Sequence, residues 1–133
     1  MLSPDPRRIA IADRSPAFLA AAANYVAAMP GYALVGTATD AMDVVALVET
    51  AVPQVLLLDL GVSPARGFSA IRRIKALPGA PAVIALSLFY SDEIAIEARA
   101  AGADALVGKE AFVSGLGEAL ERIFPHRRPE RAA

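Results

Sequence analysis

The apolar run Val55–Leu58 restricts the fold more than any other segment, because it lies between Pro53 and a loop rich in glycine, proline and serine. A short run that is apolar at every position is typical of a strand buried on both faces of a parallel sheet. The run leads directly into Asp59, so a carboxylate stands where the strand reaches the surface. Open α/β sheets bind ligands at the carboxyl ends of their strands. Asp59 is therefore the first candidate functional residue.

Apolar runs of this kind alternate with longer segments of helical period, and the alternation predicts βαβ units around a parallel sheet. Five strands are predicted, at Ile9–Ala12, Tyr32–Thr37, Val55–Leu58, Ala82–Ser87 and Leu106–Val107. A helix is predicted after each strand. The pattern predicts one three-layer α/β domain over residues 8–125, with flexible termini at residues 1–7 and 126–133.

Capping residues mark where several predicted helices begin and end. Ser15 suits the N-cap of the first helix, and Asp40 can cap the second. Ser91 can cap a fourth helix over Asp92–Ala101, which Gly102 ends in the left-handed conformation. The inward faces are predicted to carry Phe18, Ala22, Tyr25 and Met29 in the first helix, Val44, Val45, Val48 and Val52 in the second, Phe68, Ile71, Ile74 and Leu77 in the third, and Val113, Leu116, Leu120 and Ile123 in the fifth.

Composition excludes several classes of protein. The 133 residues fit one domain, and the lack of cysteine excludes disulfides and thiolate sites and favours a reducing cytoplasm. No stretch of about 18 apolar residues is available to span a bilayer, so no membrane association is predicted. The net charge of −1 provides no overall field for nucleic acid.

Polar residues stand at the carboxyl ends of four predicted strands: Asp13 and Arg14, Asp59, Ser87, and Lys109. Right-handed crossovers bring these ends to one edge of the sheet. Taken singly, Asp13 could serve a turn, Ser87 a loop amide, and Lys109 the solvated surface. Together, two carboxylates, a hydroxyl and an ammonium can hold a divalent cation against an oxyanion.

These residues resemble the receiver domain of two-component response regulators, over about Ile9 to Phe124. The resemblance rests on Ile11–Pro16, on Leu57–Leu60 with Gly67 eight residues after the aspartate, on Ala85–Ser87, and on Ala101–Asp104 leading to Lys109. The segment Pro30–Ala38 is most similar to the branch whose receivers usually precede a helix-turn-helix DNA-binding domain.

The resemblance implies a flavodoxin-like (βα)5 fold with a parallel five-stranded sheet of order 2-1-3-4-5. It also implies that Asp59 is the phosphoacceptor for a histidine kinase or phosphotransfer protein, and that the domain is not an enzyme. Asp13, Asp59 and the carbonyl of Gly61 would bind Mg²⁺, while Lys109 and Ser87 would bind phosphoryl oxygens.

Arg14 departs from the family pattern, which normally has two adjacent acidic residues after the first strand. A cation in place of a carboxylate removes an attraction for the metal and adds a repulsion, each on the order of a few kcal/mol at an effective dielectric near 20. The sequence therefore predicts a Mg²⁺ site that is weak or absent. Arg14 could instead pair with Asp59 or Asp13 in place of the metal, or point to solvent.

Leu106 is a second departure, because it aligns with the aromatic switch residue of the family. Leucine has no hydroxyl that could follow Ser87 inward. Glu110 stands where many receivers have proline.

Three functions are consistent with these patterns. The first is a receiver phosphorylated at Asp59. The second is a phosphorylation-independent receiver that binds a downstream protein or forms a homodimer through its fourth helix, fifth strand and fifth helix. In the third, the chain is the receiver half of a DNA-binding regulator whose output domain is missing, so that it binds no nucleic acid itself.

A small doubly wound enzyme or nucleotide-binding module is disfavoured by two features. No glycine-rich phosphate loop follows the first strand, and the only histidine, His126, lies in the tail.

Overall fold

The computed structural model describes residues 5–40, 43–61 and 63–125. Its strands are β1 (Arg7–Ala12), β2 (Tyr32–Ala38), β3 (Val55–Asp59), β4 (Ala82–Ser87) and β5 (Ala105–Gly108). Its helices are α1 (Pro16–Ala27), α2 (Val44–Ala51), α3 (Pro64–Lys75), α4 (Asp92–Ala101) and α5 (Phe112–Ile123). A single 3-10 turn, Lys109–Ala111, connects β5 to α5. In the predicted flexible termini, residues 1–4 and 126–133 lie outside the described residues.

The five strands are parallel and lie in the order β2-β1-β3-β4-β5, which confirms the predicted doubly wound receiver fold. In the register, Ala12 is opposite Leu58, and Asp59 is opposite Leu86. Neighbouring strands therefore end at nearly the same level. This alignment brings the residues that follow β1, β3, β4 and β5 to one edge.

The sheet separates two apolar cores, and this explains the continuous apolar run in β3. Leu56 and Leu58 pack on the side of α2, α3 and α4, whereas Val55 and Leu57 pack on the side of α1 and α5. Successive side chains of a strand point to opposite faces, so a strand covered on both faces needs an apolar residue at every position.

Two predicted caps are confirmed. Ser15 Oγ accepts a hydrogen bond from the Phe18 N–H, and Ser91 Oγ accepts one from the Ile94 N–H. The predicted cap at Asp40 is wrong, because α2 begins at Val44 with Asp43 as its N-cap residue.

The predicted inward faces are wrong at three positions, Tyr25, Val52 and Val113, which are exposed. In α1 the buried face is Leu19, Ala22 and Val26. Val52 lies one residue after the end of α2, in the left-handed conformation with φ +47°, so it no longer follows the helical period. Val113 lies in the first turn of α5, away from the buried face formed by Leu116, Ala119 and Leu120.

Among the residues described, no helix has both the length and the apolar character that crossing a membrane requires.

Candidate functional site

Lys109 lies between two carboxylates at the carboxyl edge of the sheet. Its Nζ is 2.9 Å from Asp13 Oδ2 and 3.2 Å from Asp59 Oδ1. The side chains of Lys109, Asp13 and Asp59 are only 14%, 0% and 8% exposed, respectively. The three predicted charged residues therefore form one buried ion-paired cluster, in which a single cation neutralises half of the negative charge.

An aromatic ring also supports the lysine, and sequence reasoning did not find this contact. Lys109 Nζ lies 4.6 Å from the centroid of the Phe18 ring, which packs edge to face against Phe112. The ring face attracts the ammonium and restricts where it can move. Phe18 appeared in the sequence as one apolar residue of the α1 period, and that signal does not distinguish a core residue from a partner for lysine.

The Asp13 side chain is fully buried. Its Oδ1 accepts a hydrogen bond of 2.9 Å from the Ser15 N–H. Its Oδ2 contacts Lys109 as an ion pair but has no hydrogen bond of good geometry. Burial raises the pKa of Asp13 above its ordinary value of 3.8; the Lys109 ammonium and the Ser15 N–H lower it, and the charge of Asp59 raises it further.

Backbone N–H groups hold the Asp59 carboxylate. Gly61 donates to Asp59 Oδ1 at 2.9 Å, and Arg14 donates to Asp59 Oδ2 at 3.3 Å. Gly61 has φ +76°, a conformation that favours glycine, so the residue type allows the loop to turn back onto the carboxylate. Oδ1 also contacts Lys109, which leaves Oδ2 as the less tightly held oxygen.

The Arg14 side chain lies over Gly61. A Cβ placed on Gly61 would be 3.2 Å from Arg14 Nη1 and 3.5 Å from Arg14 Cδ. Within the described residues, the guanidinium is not within 4.0 Å of the Asp13 or Asp59 carboxylates, both of which pair with Lys109 instead. The arginine thus adds positive charge beside the cluster without closing an ion pair in it.

Ser87 and Leu106 lie on the β4–β5 side of the edge. Ser87 is buried, and its Oγ donates a hydrogen bond of 2.6 Å to the Phe89 carbonyl in its own loop. Leu106 is half-buried and lines a cavity of about 280 Å³ between α4 and α5. Glu110 Oε2 accepts a hydrogen bond of 3.2 Å from the Tyr90 N–H, a contact that the sequence did not predict.

The donor atoms of the cluster fit Mg²⁺ in type. The Asp13 Oδ2 that lacks a hydrogen bond, the Asp59 carboxylate and the Gly61 backbone are the oxygen ligands that Mg²⁺ accepts while it retains waters. In the described part of the chain, no group of three or more His, Cys, Asp or Glu residues is placed to hold a metal. Any Mg²⁺ held there would therefore depend on two carboxylates and the backbone.

The family model for the response regulator receiver domain matches residues 9–121. The chain belongs to this family. The receiver domain family is a signalling family rather than a catalytic one. Receiver domains work in two-component systems, with kinases or phosphotransfer proteins on one side and output domains on the other.

This receiver is similar to part of a longer protein. It is 31% identical over 113 residues to protein-glutamate methylesterase/protein-glutamine glutaminase 2 of Anaeromyxobacter dehalogenans (strain 2CP-C), covering 85% of this chain and 33% of the relative. The chain thus spans about a third of that relative's length.

Many solved structures are similar to this receiver, and two of them illustrate the likeness. The LuxR-family two-component response regulator from Aurantimonas sp. SI85-9A1 is 28% identical, with a TM-score of 0.79 over 90% of this chain and 85% of that one. The receiver domain of the putative response regulator NarL from Mycobacterium tuberculosis shares the fold, with 20% identity and a TM-score of 0.80 over 93% of this chain and 100% of that one.

Proposed function

We propose that this receiver accepts a phosphoryl group on Asp59, slowly, at a site whose Mg²⁺ affinity Arg14 weakens. The observation that carries the proposal is the position of Lys109 Nζ between Asp13 Oδ2 and Asp59 Oδ1. A buried ammonium next to a carboxylate nucleophile can stabilise the charge that an incoming phosphoryl group brings.

The contacts of the two Asp59 oxygens support a different proposed role for each. Oδ1 is held by the Gly61 N–H and Lys109, so the less constrained Oδ2 would attack phosphorus. With a histidine kinase or phosphotransfer protein as donor, the P–O bond to Asp59 forms as the P–N bond of phosphohistidine breaks. Lys109 would then contact a phosphoryl oxygen. Ser87 would bind another after its Oγ releases the Phe89 carbonyl.

Asp13, Asp59 and the Gly61 carbonyl would hold Mg²⁺, which when bound neutralises charge on the carboxylate and the phosphoryl group. Asp13 and Asp59 contribute two negative charges, and Lys109 and Arg14 contribute two positive charges. The pocket therefore has no net charge to attract a divalent cation, and its affinity should be low.

One observation favours a second candidate function, a receiver that works without phosphorylation. The Arg14 side chain covers Gly61, the residue expected to offer a backbone ligand for Mg²⁺. Such a domain would bind a downstream protein or output domain, or a second copy through α4, β5 and α5.

Intact mass after incubation with acetyl phosphate and Mg²⁺ separates the two candidates. We expect partial gain of one phosphoryl group in the wild type and none in Asp59→Asn, which keeps the shape of the side chain but removes the nucleophile. An unchanged wild-type mass after prolonged incubation would exclude phosphorylation and leave the second candidate. An adduct that persists in Asp59→Asn would place the modified residue elsewhere.

Replacing Arg14 tests the electrostatic part of the proposal. Arg14→Asp should raise Mg²⁺ affinity at least about tenfold in titration calorimetry, because it restores an attraction and removes a repulsion next to Asp59. Arg72→Asp is the matched control, since it makes the same change in net charge at an exposed position on α3. Equal gains in both variants, or none in Arg14→Asp, would contradict the role given to Arg14.

A further inference from the structure

A cavity of about 430 Å³ opens next to Asp59, between α3 with the carboxyl end of β3 on one side and Arg14 and Asp40, from the loops after β1 and β2, on the other. The helix after β1 packs on one face of the sheet, and the helix after β3 packs on the other. Strands whose connections leave toward opposite faces create a crevice, and open α/β folds bind ligands there. The volume lies within the range of small-molecule sites.

Three arginines line this cavity, Arg14, Arg66 and Arg73. Arg66 and Arg73 are seven residues apart on α3, so they lie on the same side of the helix about 10 Å apart along its axis. Arg14 comes from the loop after β1. Within the described residues, none of the three guanidinium groups lies within 4.0 Å of a carboxylate, so their donors are not used in ion pairs there.

The charge and surface of the cavity define the kind of ligand that fits. Asp40 and Asp59 also line it, and Asp59 is paired with Lys109, so positive charge is in excess. The hydroxyl-bearing Ser69 lies between the two α3 arginines in the chain, and Leu60 and Ala70 supply apolar lining. Guanidinium groups bind phosphate oxygens in pairs, whereas apolar lining accommodates an organic group.

We propose that the crevice binds an organic phosphate of the nucleoside diphosphate class, with its phosphates on Arg14, Arg66 and Arg73. No glycine-rich loop is needed, because the arginine side chains provide the hydrogen-bond donors to the phosphate oxygens. The proposal goes beyond phosphorylation and does not depend on it: the anion binds beside Asp59 without reacting with it. This would give the domain a second way to receive a signal at the same edge of the sheet.

Titration calorimetry with ADP, at constant ionic strength and without Mg²⁺ or a phosphodonor, tests the proposal. We expect binding by the wild type and a loss of about tenfold in affinity for each of Arg66→Ala and Arg73→Ala, since each removes charge-assisted hydrogen bonds. Arg72→Ala is the matched control, because Arg72 is an exposed α3 arginine that does not line the cavity. It should bind ADP like the wild type.

Four outcomes would overturn the proposal in whole or in part. Absence of ADP binding would remove the site, and an equal loss in Arg72→Ala would show non-specific attraction to a basic helix. Adenosine binding as tight as that of ADP would exclude recognition of phosphate. Pyrophosphate binding as tight as that of ADP would exclude the nucleoside class.

Loss of ADP binding can be distinguished from loss of folding and from loss of phosphorylation. Arg66 and Arg73 are exposed, so their replacement should leave the thermal unfolding midpoint unchanged. Asp59→Asn cannot be phosphorylated at residue 59, yet it should bind ADP at least as tightly as the wild type, because the substitution removes a negative charge from the cavity. Failure of phosphorylation and failure of ADP binding are therefore separate results.

Discussion

The two halves of the carboxyl edge differ in how their residues are held. On the β1–β3 side, Asp13 and Asp59 are buried and fixed by Lys109 and by backbone N–H groups. On the β4–β5 side, the loop residues Leu88, Phe89 and Tyr90 are 67%, 67% and 51% exposed. The first half is a buried, ion-paired centre, whereas the second exposes apolar side chains and is held by a few hydrogen bonds.

One short turn connects these halves. Lys109 and its neighbour Glu110 are both in the 3-10 turn after β5, yet they reach in different directions. Lys109 extends to the carboxylates of the first half, and Glu110 accepts a hydrogen bond from Tyr90 in the second. The turn therefore joins the two halves, although each of its two side chains contacts only one of them.

Removing the Lys109 ammonium should have the largest effect on the free energy of unfolding. In Lys109→Met, the Asp13 and Asp59 carboxylates remain close together and poorly solvated, but no cation neutralises them. We therefore expect a loss of about 3 kcal/mol in the free energy of unfolding near neutral pH. Urea unfolding at two pH values measures the loss, which should shrink toward acid pH as a carboxylate takes up a proton.

Lys75→Met provides the matched comparison, because Lys75 also pairs with an aspartate, Asp104. These two side chains are 30% and 39% exposed, and water screens their attraction, so the loss should stay below about 1 kcal/mol. Similar losses in Lys75→Met and Lys109→Met would show that the buried cluster is no stronger than a surface ion pair.

The sequence predicted the fold well because the signals for it are local. The strand β4 and the helix α4 have the predicted bounds, since an apolar run and a Ser91 cap followed by Gly102 mark them directly. The predicted inward faces were wrong where the helical spacing of apolar residues in the sequence disagrees with the packing in the structure. Val52 continues the helical spacing in the sequence, but the chain has already left the helix there.

For the candidate site, the sequence predicted which residues lie together better than it predicted their contacts. Strand ends placed Asp13, Asp59 and Lys109 together, because the parallel topology fixes where those ends lie. The contact partner of each side chain depends on its rotamer and on long-range packing, and the spacing of residues along the sequence does not encode either. The contacts of Lys109 with Phe18 and of Glu110 with Tyr90 are of this kind.

The raised pKa of Asp13 predicts a smaller, pH-dependent effect. The folded state binds the Asp13 proton more tightly than the unfolded state, so this residue's contribution to stability falls as pH rises from below 3.8 through the raised folded pKa. Asp13→Asn cannot titrate, so it removes this pH-dependent fall in stability. The variant's free energy of unfolding, relative to wild type, should therefore increase across this range in urea titrations. A difference that is constant with pH would contradict the assignment.

Leu106→Tyr tests whether the exposed half lacks a switch. In the wild type with beryllofluoride and Mg²⁺, we expect NMR shift changes near Asp59 but small ones at Tyr90, because Leu106 has no hydroxyl to follow Ser87. The tyrosine should enlarge the changes at Tyr90 with a stability change below about 1.5 kcal/mol, since residue 106 borders a cavity that can accept a larger side chain. Large shifts at Tyr90 in the wild type would show that the switch does not need an aromatic residue.

Glu110→Gln should have the smallest effect on stability, because its hydrogen bond with the Tyr90 N–H is exposed and contributes at most about 1 kcal/mol. The amide oxygen of glutamine can still accept that bond, so Gln serves as the conservative control for Glu110→Ala. In Glu110→Ala, hydrogen exchange at the Tyr90 amide should become faster, while exchange at Gly61 beside Asp59 should not change. Faster exchange at both amides would mean that the turn after β5 holds the two halves as one unit, and unchanged exchange at Tyr90 would mean that Glu110 does not anchor the loop.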